Sequence, residues 1–422
     1  MKIAILNAHI AFVERPFRVP LHLSTGAITA ITEAQAAVTV RVGGREATGR
    51  GAIYLSDLWS WPQAALDHAG RDAVLRQVCR EIAGRLPDLC GGEPEHPLEL
   101  GLRLHHAVAR EAFPESPPVL ARAMCASPFD AALHDAAGLA LERSAFDFYD
   151  IPAPIPSADR LFPGEGACAA IARTIRPAQR RLDAWWIVGA RDVLEDEVAP
   201  AIRNFGFRCF KQKTTGDTVA DAARTAEIYR AVRGYGVEHP VFDVDSNEAN
   251  PDPQSVLDYL ERLRALDAGA YAALAYLEQP TSRDILARPF DWRPVTALKP
   301  VLIDEGLTDL DLFAEAQAQG WSGFALKTCK GHSFALVAAA WARRHGLLLA
   351  LQDLTNPGLS AIHAALFAAH IPTMNGVELN SPQYTPAAND AWLPRLAGLF
   401  YPGEGRHDVS GVLGAPGLGS TL

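Results

Sequence analysis

Phe210-Lys211-Gln212-Lys213 ends a short apolar run with two lysines one residue apart. Strand side chains alternate with a period of two, so both amines lie on one face. Alone, such a pair is most often solvated surface, and its meaning depends on the strands around it. From about residue 183 onward, short apolar runs alternate with helical patterns, and the strand ends predicted are Val188, Lys213, Asp245, Glu278, Asp304, Lys327, Leu351 and Asn380. Successive ends lie roughly 23 to 33 residues apart, enough for a strand, a loop, a helix and a return. Eight such steps predict an α/β fold, a closed parallel (β/α)8-type barrel.

The intervening helices carry their own start and stop signals. Asp217 caps a helix that runs through Ala222, Ile228 and Val232 to a stop at Gly234. Asp252-Pro253 starts another, since proline at the first helical position gives up no needed N–H. Thr308 and Gly320 bracket a third, and Ser333 and Gly346 a fourth.

The first 140 or so residues read differently. Ala37 to Val42 alternates like an antiparallel strand, while Ala64 to Arg85 and Leu98 to Phe113 look helical, which suggests a separate α+β domain. The expected division is residues 1–140 for this domain, 141–182 for a connector, 183–385 for the barrel, and 386–422 for a C-terminal segment packing back on the first domain. Five prolines between Ile151 and Pro177 mark the connector, with one short helix around Cys168 to Ile175.

At 422 residues, 49% hydrophobic and 21% charged, the composition is that of an ordinary globular protein with more than one core. A formal charge of −10 argues against general affinity for nucleic acid or anionic membrane, which need clustered cations. The apolar run Ile3-Ala4-Ile5-Leu6 is too short for a signal-peptide core, and Phe334 to Ala342 meets Arg343 and Arg344 before it could cross a bilayer. A cytoplasmic protein is expected. Six scattered cysteines lack zinc-site spacing and predict reduced thiols.

In a barrel of this kind the C-terminal strand ends build the site. Asp245, Glu278 and Asp304 end three consecutive strands and would converge. Three close carboxylates repel one another unless a hard divalent cation neutralises them, and magnesium suits that count. Lys327, at the sixth strand, would then face Lys213 across the barrel, and two amines flanking one substrate would lower each other's pKa. Any one of these residues alone is more often a cap, a turn or a surface group. The order Lys, Asp, Glu, Asp, Lys on five successive strands makes the catalytic reading the stronger.

With those residues in view, the chain resembles the enolase superfamily, particularly the muconate lactonizing enzyme subgroup of its mandelate racemase/muconate lactonizing enzyme family. Phe210 to Lys213 resembles the family's KxK strand, Val244-Asp245-Ser246-Asn247 its VDAN motif and Leu277-Glu278-Gln279-Pro280 its IEQP. Ile303-Asp304-Glu305 is similar to ADES, and Leu326 to Gly331 to LKxxKxG, which includes Lys330. Asp130 to Asp135 resembles the segment where the family's capping domain meets the barrel. The resemblance implies metal ligation by Asp245, Glu278 and Asp304, acid/base roles for Lys213 and Lys327, outer positions for Asn247 and Glu305, and a helper role for Lys211. Enolase-superfamily sites pair a Lys or His base with Mg²⁺, with Mn²⁺ as a substitute, so this chemistry comes from the family.

Several positions depart from the pattern. His134 stands where Trp is frequent, Gly306 where Ser is usual, and His332 interrupts a glycine pair. Glu378-Leu379-Asn380 replaces the Asp-x-Asp of dipeptide epimerases, and Leu351-Gln352-Asp353 lacks the catalytic His of mandelate racemase-type members. Substrate choice is expected from the capping domain, through loops at 15–26 and 54–61 in which Trp59 and Trp61 wall the pocket, although such aromatics also pack interfaces. The expected partner is a small carboxylate, and the resemblance suggests a homo-oligomer. Racemization or epimerization of an amino-acid-like or hydroxy acid is the first reading. A lyase or cycloisomerase on the same enediolate is the second, and a non-catalytic binding barrel is a remote third.

Overall fold

In a computed structural model, which describes residues 1–23, 26–352, 356 and 358–422, the chain begins with a three-stranded antiparallel sheet: β1 (Ala4–Leu23), β2 (Gly26–Val42) and β3 (Arg45–Tyr54). Three helices complete this α+β unit: α1 (His68–Leu89), α2 (Pro97–Arg110) and α3 (Val119–Leu141). Helix α3 is not legible as a helix in the sequence, because Pro128 lies inside it. It packs so tightly on β3 that a Cβ at Gly51 would meet the Pro128 carbonyl oxygen at 2.0 Å. Of the segment 15–26, expected as a loop, the described residues 15–23 and 26 are instead the far end of the β1–β2 ladder, with pairs Arg15–Ile31 and Leu21–Ile28 flanking a register shift, and the rest lies outside the described residues.

A connector with one short helix, α4 (Ala167–Thr174), leads to seven parallel strands in sequential order. They are β4 (Trp185–Val188), β5 (Cys209–Lys213), β6 (Val241–Asp245), β7 (Leu274–Glu278), β8 (Val301–Ile303), β9 (Gly323–Lys327) and β10 (Leu348–Gln352). Helices α5 (Leu194–Phe205), α6 (Thr218–Gly234), α7 (Pro253–Leu266), α8 (Leu312–Ala318), α9 (His332–Arg344) and α10 (Gly358–His370) pack outside. The Asp217 and Asp252 carboxylates cap α6 and α7 as expected, while the left-handed stop after α6 falls at Gly236 and not at Gly234.

The eighth step is not a regular strand. Gly376 takes a left-handed φ of 69°, which breaks extended pairing, and the Asn375 side chain does what a backbone would. Its amide accepts from Leu351 N and donates to Leu351 O, both at 3.0 Å. Glu378 N donates to Leu351 O at 3.1 Å and Val377 N to Asp183 O at 3.2 Å, so this stretch joins β10 to the start of β4 and closes the circle. Inside, Trp185, Cys209, Tyr276, Leu302, Ala325 and Ala350 fill one layer of the barrel. The six cysteines are free and buried, and no helix among the described residues is long and apolar enough to cross a membrane.

The first domain meets the barrel in part through α3 and α9. Ser333 N and Oγ donate to the two oxygens of Asp130 at 2.8 and 2.7 Å. The His134 ring lies 4.6 Å from that of His332, which in turn meets Phe146 and Phe367 edge-on. The C-terminal segment returns to the same helix, where Leu418 N and Ser420 Oγ donate to Asp135 at 2.8 and 2.5 Å.

Burial pushes His332 and His363 down to about 3 and His134 well below its usual range. Their folded pKa values lie below the unfolded value of 6.5, so between about 3 and 6.5 the unfolded chain binds more protons and stability falls as pH falls. We therefore expect His332→Phe, which keeps the ring contacts, to show a smaller drop in melting temperature between about pH 7 and about pH 5 than the parent protein. Equal drops in the two proteins would refute this.

Candidate active site

Register alone brings the polar strand ends together. Lys213 pairs with Asp245 and Asp245 with Glu278 across adjacent strands, while Glu278 pairs with Leu302, two residues before Asp304. Equal parity puts all four side chains on the inner face. Asp304 lies one residue beyond β8, where its N–H donates to Gln279 Oε1 at 2.8 Å. Gln279, Asn247 and Glu248 all hold left-handed φ angles, of 33°, 45° and 71°, so the loops after β6 and β7 are bent tightly against the site.

Acids and amines alternate around the rim. Lys213 Nζ donates to Asp245 Oδ2 at 2.6 Å and Lys211 Nζ lies 3.2 Å from the same oxygen, so the two lysines do share a face. Lys211 also reaches Glu278 Oε2 at 2.9 Å and Glu378 Oε2 at 3.3 Å. Lys327 Nζ donates to Asp304 Oδ2 at 2.6 Å and lies 3.3 Å from Glu278 Oε1. Lys330 donates to the Asp304 carbonyl at 2.5 Å and sits 3.0 Å from its Oδ1. Asn247 accepts from Lys213 at 3.2 Å and donates to Glu305 Oε1 at 3.0 Å. Asn380 donates to Glu378 Oε1 at 2.6 Å.

Of the remaining residues expected from sequence, Trp59 lies over the site, with its ring centroid 5.5 Å from Lys327 Nζ and 6.0 Å from Lys330 Nζ. Trp61 lies with Trp59 in the apolar core, but among the described residues its ring meets none of the site's lysines. Asp353 lies outside the described residues.

Four partners escape a sequence reading. Gln352 accepts from Lys211 and Lys327 at 3.0 and 2.9 Å and donates to Glu278. Its register with Lys327 is the signal that reveals it, one residue past the predicted strand end at Leu351. Asp243 shares the parity of Asp245 and lies fully buried 3.9 Å from Lys211, with no hydrogen-bond partner among the described residues. Gln279 and Arg283 sit within and just after the Glu-Gln-Pro stretch. Gly306 is explained by packing: a Cβ there would stand 2.9 Å from the Arg283 carbonyl oxygen.

The expected lowering of the lysine pKa is not what Lys327 shows. Burial pushes Lys327 down, but Asp304 and Glu278 outweigh it and hold the ammonium well above its usual range. Lys211 is raised in the same way, burial being overcome by Glu278, Glu378 and Asp245. Despite burial, the lysines beside Asp245 and Asp304 hold both well below the carboxylate range. Burial and the neighbouring acids raise Glu278 and Asp243, and raise Glu305 to about 8.

These values report a charge imbalance. Six buried carboxyl groups (Asp243, Asp245, Glu278, Asp304, Glu305 and Glu378) face four buried amines (Lys211, Lys213, Lys327 and Lys330), so that with all of them ionised two negative charges would be in excess. One divalent cation would supply that difference, and Asp245, Glu278 and Asp304 offer the hard oxygen donors Mg²⁺ prefers. Among the described residues no three such groups already stand as a cation site, because each of the three acids turns an oxygen to a lysine.

Residues 193–422 match the family described as enolase C-terminal domain-like. No curated protein is significantly similar in sequence. Muconate lactonizing enzyme from Pseudomonas fluorescens, solved with muconolactone, matches with a TM-score of 0.66 at 17% identity over 99% of this chain and 96% of that one. N-succinyl Arg/Lys racemase from Bacillus cereus matches at 0.63 and 16% identity, over 91% and 88% of the two chains. An enolase from Bradyrhizobium, solved with magnesium and mandelic acid, matches at 0.60 and 19% identity, over 90% and 88%. At these identities the likenesses speak for the fold, and the sequence match over more than half of the chain speaks for descent. This chain therefore belongs to the enolase C-terminal domain-like family, within the enolase superfamily.

Proposed function

We propose that this protein is a Mg²⁺-dependent enzyme that removes the α-proton of a small carboxylate substrate and returns it, as a racemase or epimerase working through an enediolate. One observation carries the reading: Lys213 and Lys327 sit on opposite flanks of the acid trio, each 2.6 Å from an outer member, Asp245 or Asp304. Asp245, Glu278 and Asp304 would hold the metal, which takes up their charge and draws electron density from the substrate carboxylate. Without that charge, the acids that keep Lys327 protonated lose their pull, while burial remains and favours a neutral amine.

The other residues then have plain tasks. One lysine takes the proton from Cα and the other delivers it from the opposite face. Lys211 places a fixed ammonium where negative charge grows on the carboxylate. Gln352 holds Lys211 and Lys327 apart by accepting from both. The Trp59 ring keeps water from Lys327.

Lys213→Ala and Lys327→Ala are each expected to abolish exchange of substrate α-hydrogen in deuterated water, assayed by NMR over a panel of α-amino, N-acyl and α-hydroxy acids, while Mg²⁺ binding persists. Full exchange in either variant would remove that lysine from the mechanism. Exchange accompanied by net elimination or ring closure would favour the lyase or cycloisomerase. Asp245→Asn should weaken Mg²⁺ in calorimetry, and an unchanged affinity would reject ligation.

Glu305, raised to about 8, carries a proton at neutral pH. Mg²⁺ or Mn²⁺ binding should therefore release about one proton per ion near pH 7, and affinity should fall as pH is lowered. Calorimetry in buffers of different ionisation enthalpy measures this count, and a value of zero would overturn the charge argument.

A further inference from the structure

Arg283 lies in none of the motifs that mark the site, yet it ties three parts of the molecule together. Its backbone N–H donates to Glu248 Oε2 and its Nε to Glu248 Oε1, both at 2.7 Å, and Nη2 pairs with the same carboxylate. The guanidinium still has donors to spare, and these reach Trp59 O at 3.0 Å from Nη2 and Ser60 O at 3.3 Å from Nη1. A barrel loop thus grips two successive carbonyls of the turn Asp57–Ser60 in the first domain. The other side of that turn is anchored within its own domain, where Arg71 Nε donates to Asp57 Oδ2 at 2.7 Å.

Glu248 is itself fixed by the site. It follows Asn247, the partner of Lys213 and Glu305, and its N–H donates to Gln279 O at 2.9 Å. Side chains at the acid trio, the Arg283–Glu248 pair and the turn carrying Trp59 therefore form one connected path. A planar guanidinium can serve a carboxylate and two carbonyls at once, which an ammonium on a flexible stem cannot. What the path delivers is the Trp59 indole, 6% exposed and facing two ammonium groups that are 4% and 1% exposed.

We infer that Arg283 is a positioning residue: through the carbonyls of Trp59 and Ser60 it holds the Trp59 ring as a cover on Lys327 and Lys330, and Glu248 holds Arg283. The cover stands on geometry. Its importance for turnover rests on the reading of Lys327 as an acid/base group.

The test needs no substrate. The full-length protein is treated with an N-hydroxysuccinimide acetate ester, and acetylation of each lysine is tracked by peptide mass spectrometry, with exposed Lys2 as the internal standard. Labelling reports the population of the uncovered state, so Arg283→Met and Glu248→Gln should each raise it at Lys327 and Lys330 by about tenfold, as expected for losing charge-assisted hydrogen bonds. Arg283→Lys should fail to restore protection. Trp59→Ala should raise labelling as much, and adding Arg283→Met to it should change little further, because both act through one ring.

Parental protection in Arg283→Met would overturn the proposal, as would additive effects in the double variant or an equal rise at every buried lysine. If Arg283→Met does not fold, the milder Glu248→Gln decides by the same criteria. A rise in labelling without loss of α-hydrogen exchange would leave the cover standing and count against the role given to Lys327.

Discussion

Everything at the barrel mouth depends on burying negative charge beside enough positive charge to hold it. A carboxylate taken out of water is stable only beside a cation or enough hydrogen-bond donors. Here the strand ends supply an alternating ring in which Asp245, Lys211, Glu278, Lys327 and Asp304 touch in sequence. Each acid of the trio touches two lysines, and parallel strands in register are what allow residues so distant in the chain to meet in this way. The barrel is thus the device that makes the charge pattern possible.

The same ring explains why so much was legible in sequence. A strand of period two ending in a charged residue is a local signal, and five such signals in a fixed order identify both the fold and the rim. The groups that failed to show are those whose role depends on partners elsewhere. Gln352 looks neutral and dispensable until its register with Lys327 is known. Asp243 reads as one more acid in Val241 to Asp245, although parity places it inside. Arg283 resembles any loop arginine. The eighth strand misled for the opposite reason: Val377 to Asn380 has strand-like composition, but Gly376 just before it turns the backbone, and the Asn375 amide replaces the ladder.

The departures from the family pattern also find physical reasons. Gly306 leaves room for the Arg283 carbonyl. His134 and His332 meet each other at the junction of α3 and α9, buried and pushed toward neutrality, with His134 Nε2 2.9 Å from Ser333 Oγ. They alter how the junction answers acid, and leave the rim itself unchanged.

Charge balance ties the site to its edges. If only the trio and its lysines counted, four amines against three acids would leave an excess of positive charge and no need of a metal. When ionised, Asp243 beneath Lys211, Glu305 beside Asn247 and Glu378 on the irregular eighth stretch reverse that sign. Glu378 reaches Lys211 because its N–H is held by Leu351 O, and its other oxygen is held by Asn380. The stretch that breaks the regularity of the barrel therefore contributes a carboxylate to the electrostatics of its centre. A closed eighth strand is not required for that, only a backbone pinned at one point beside β10.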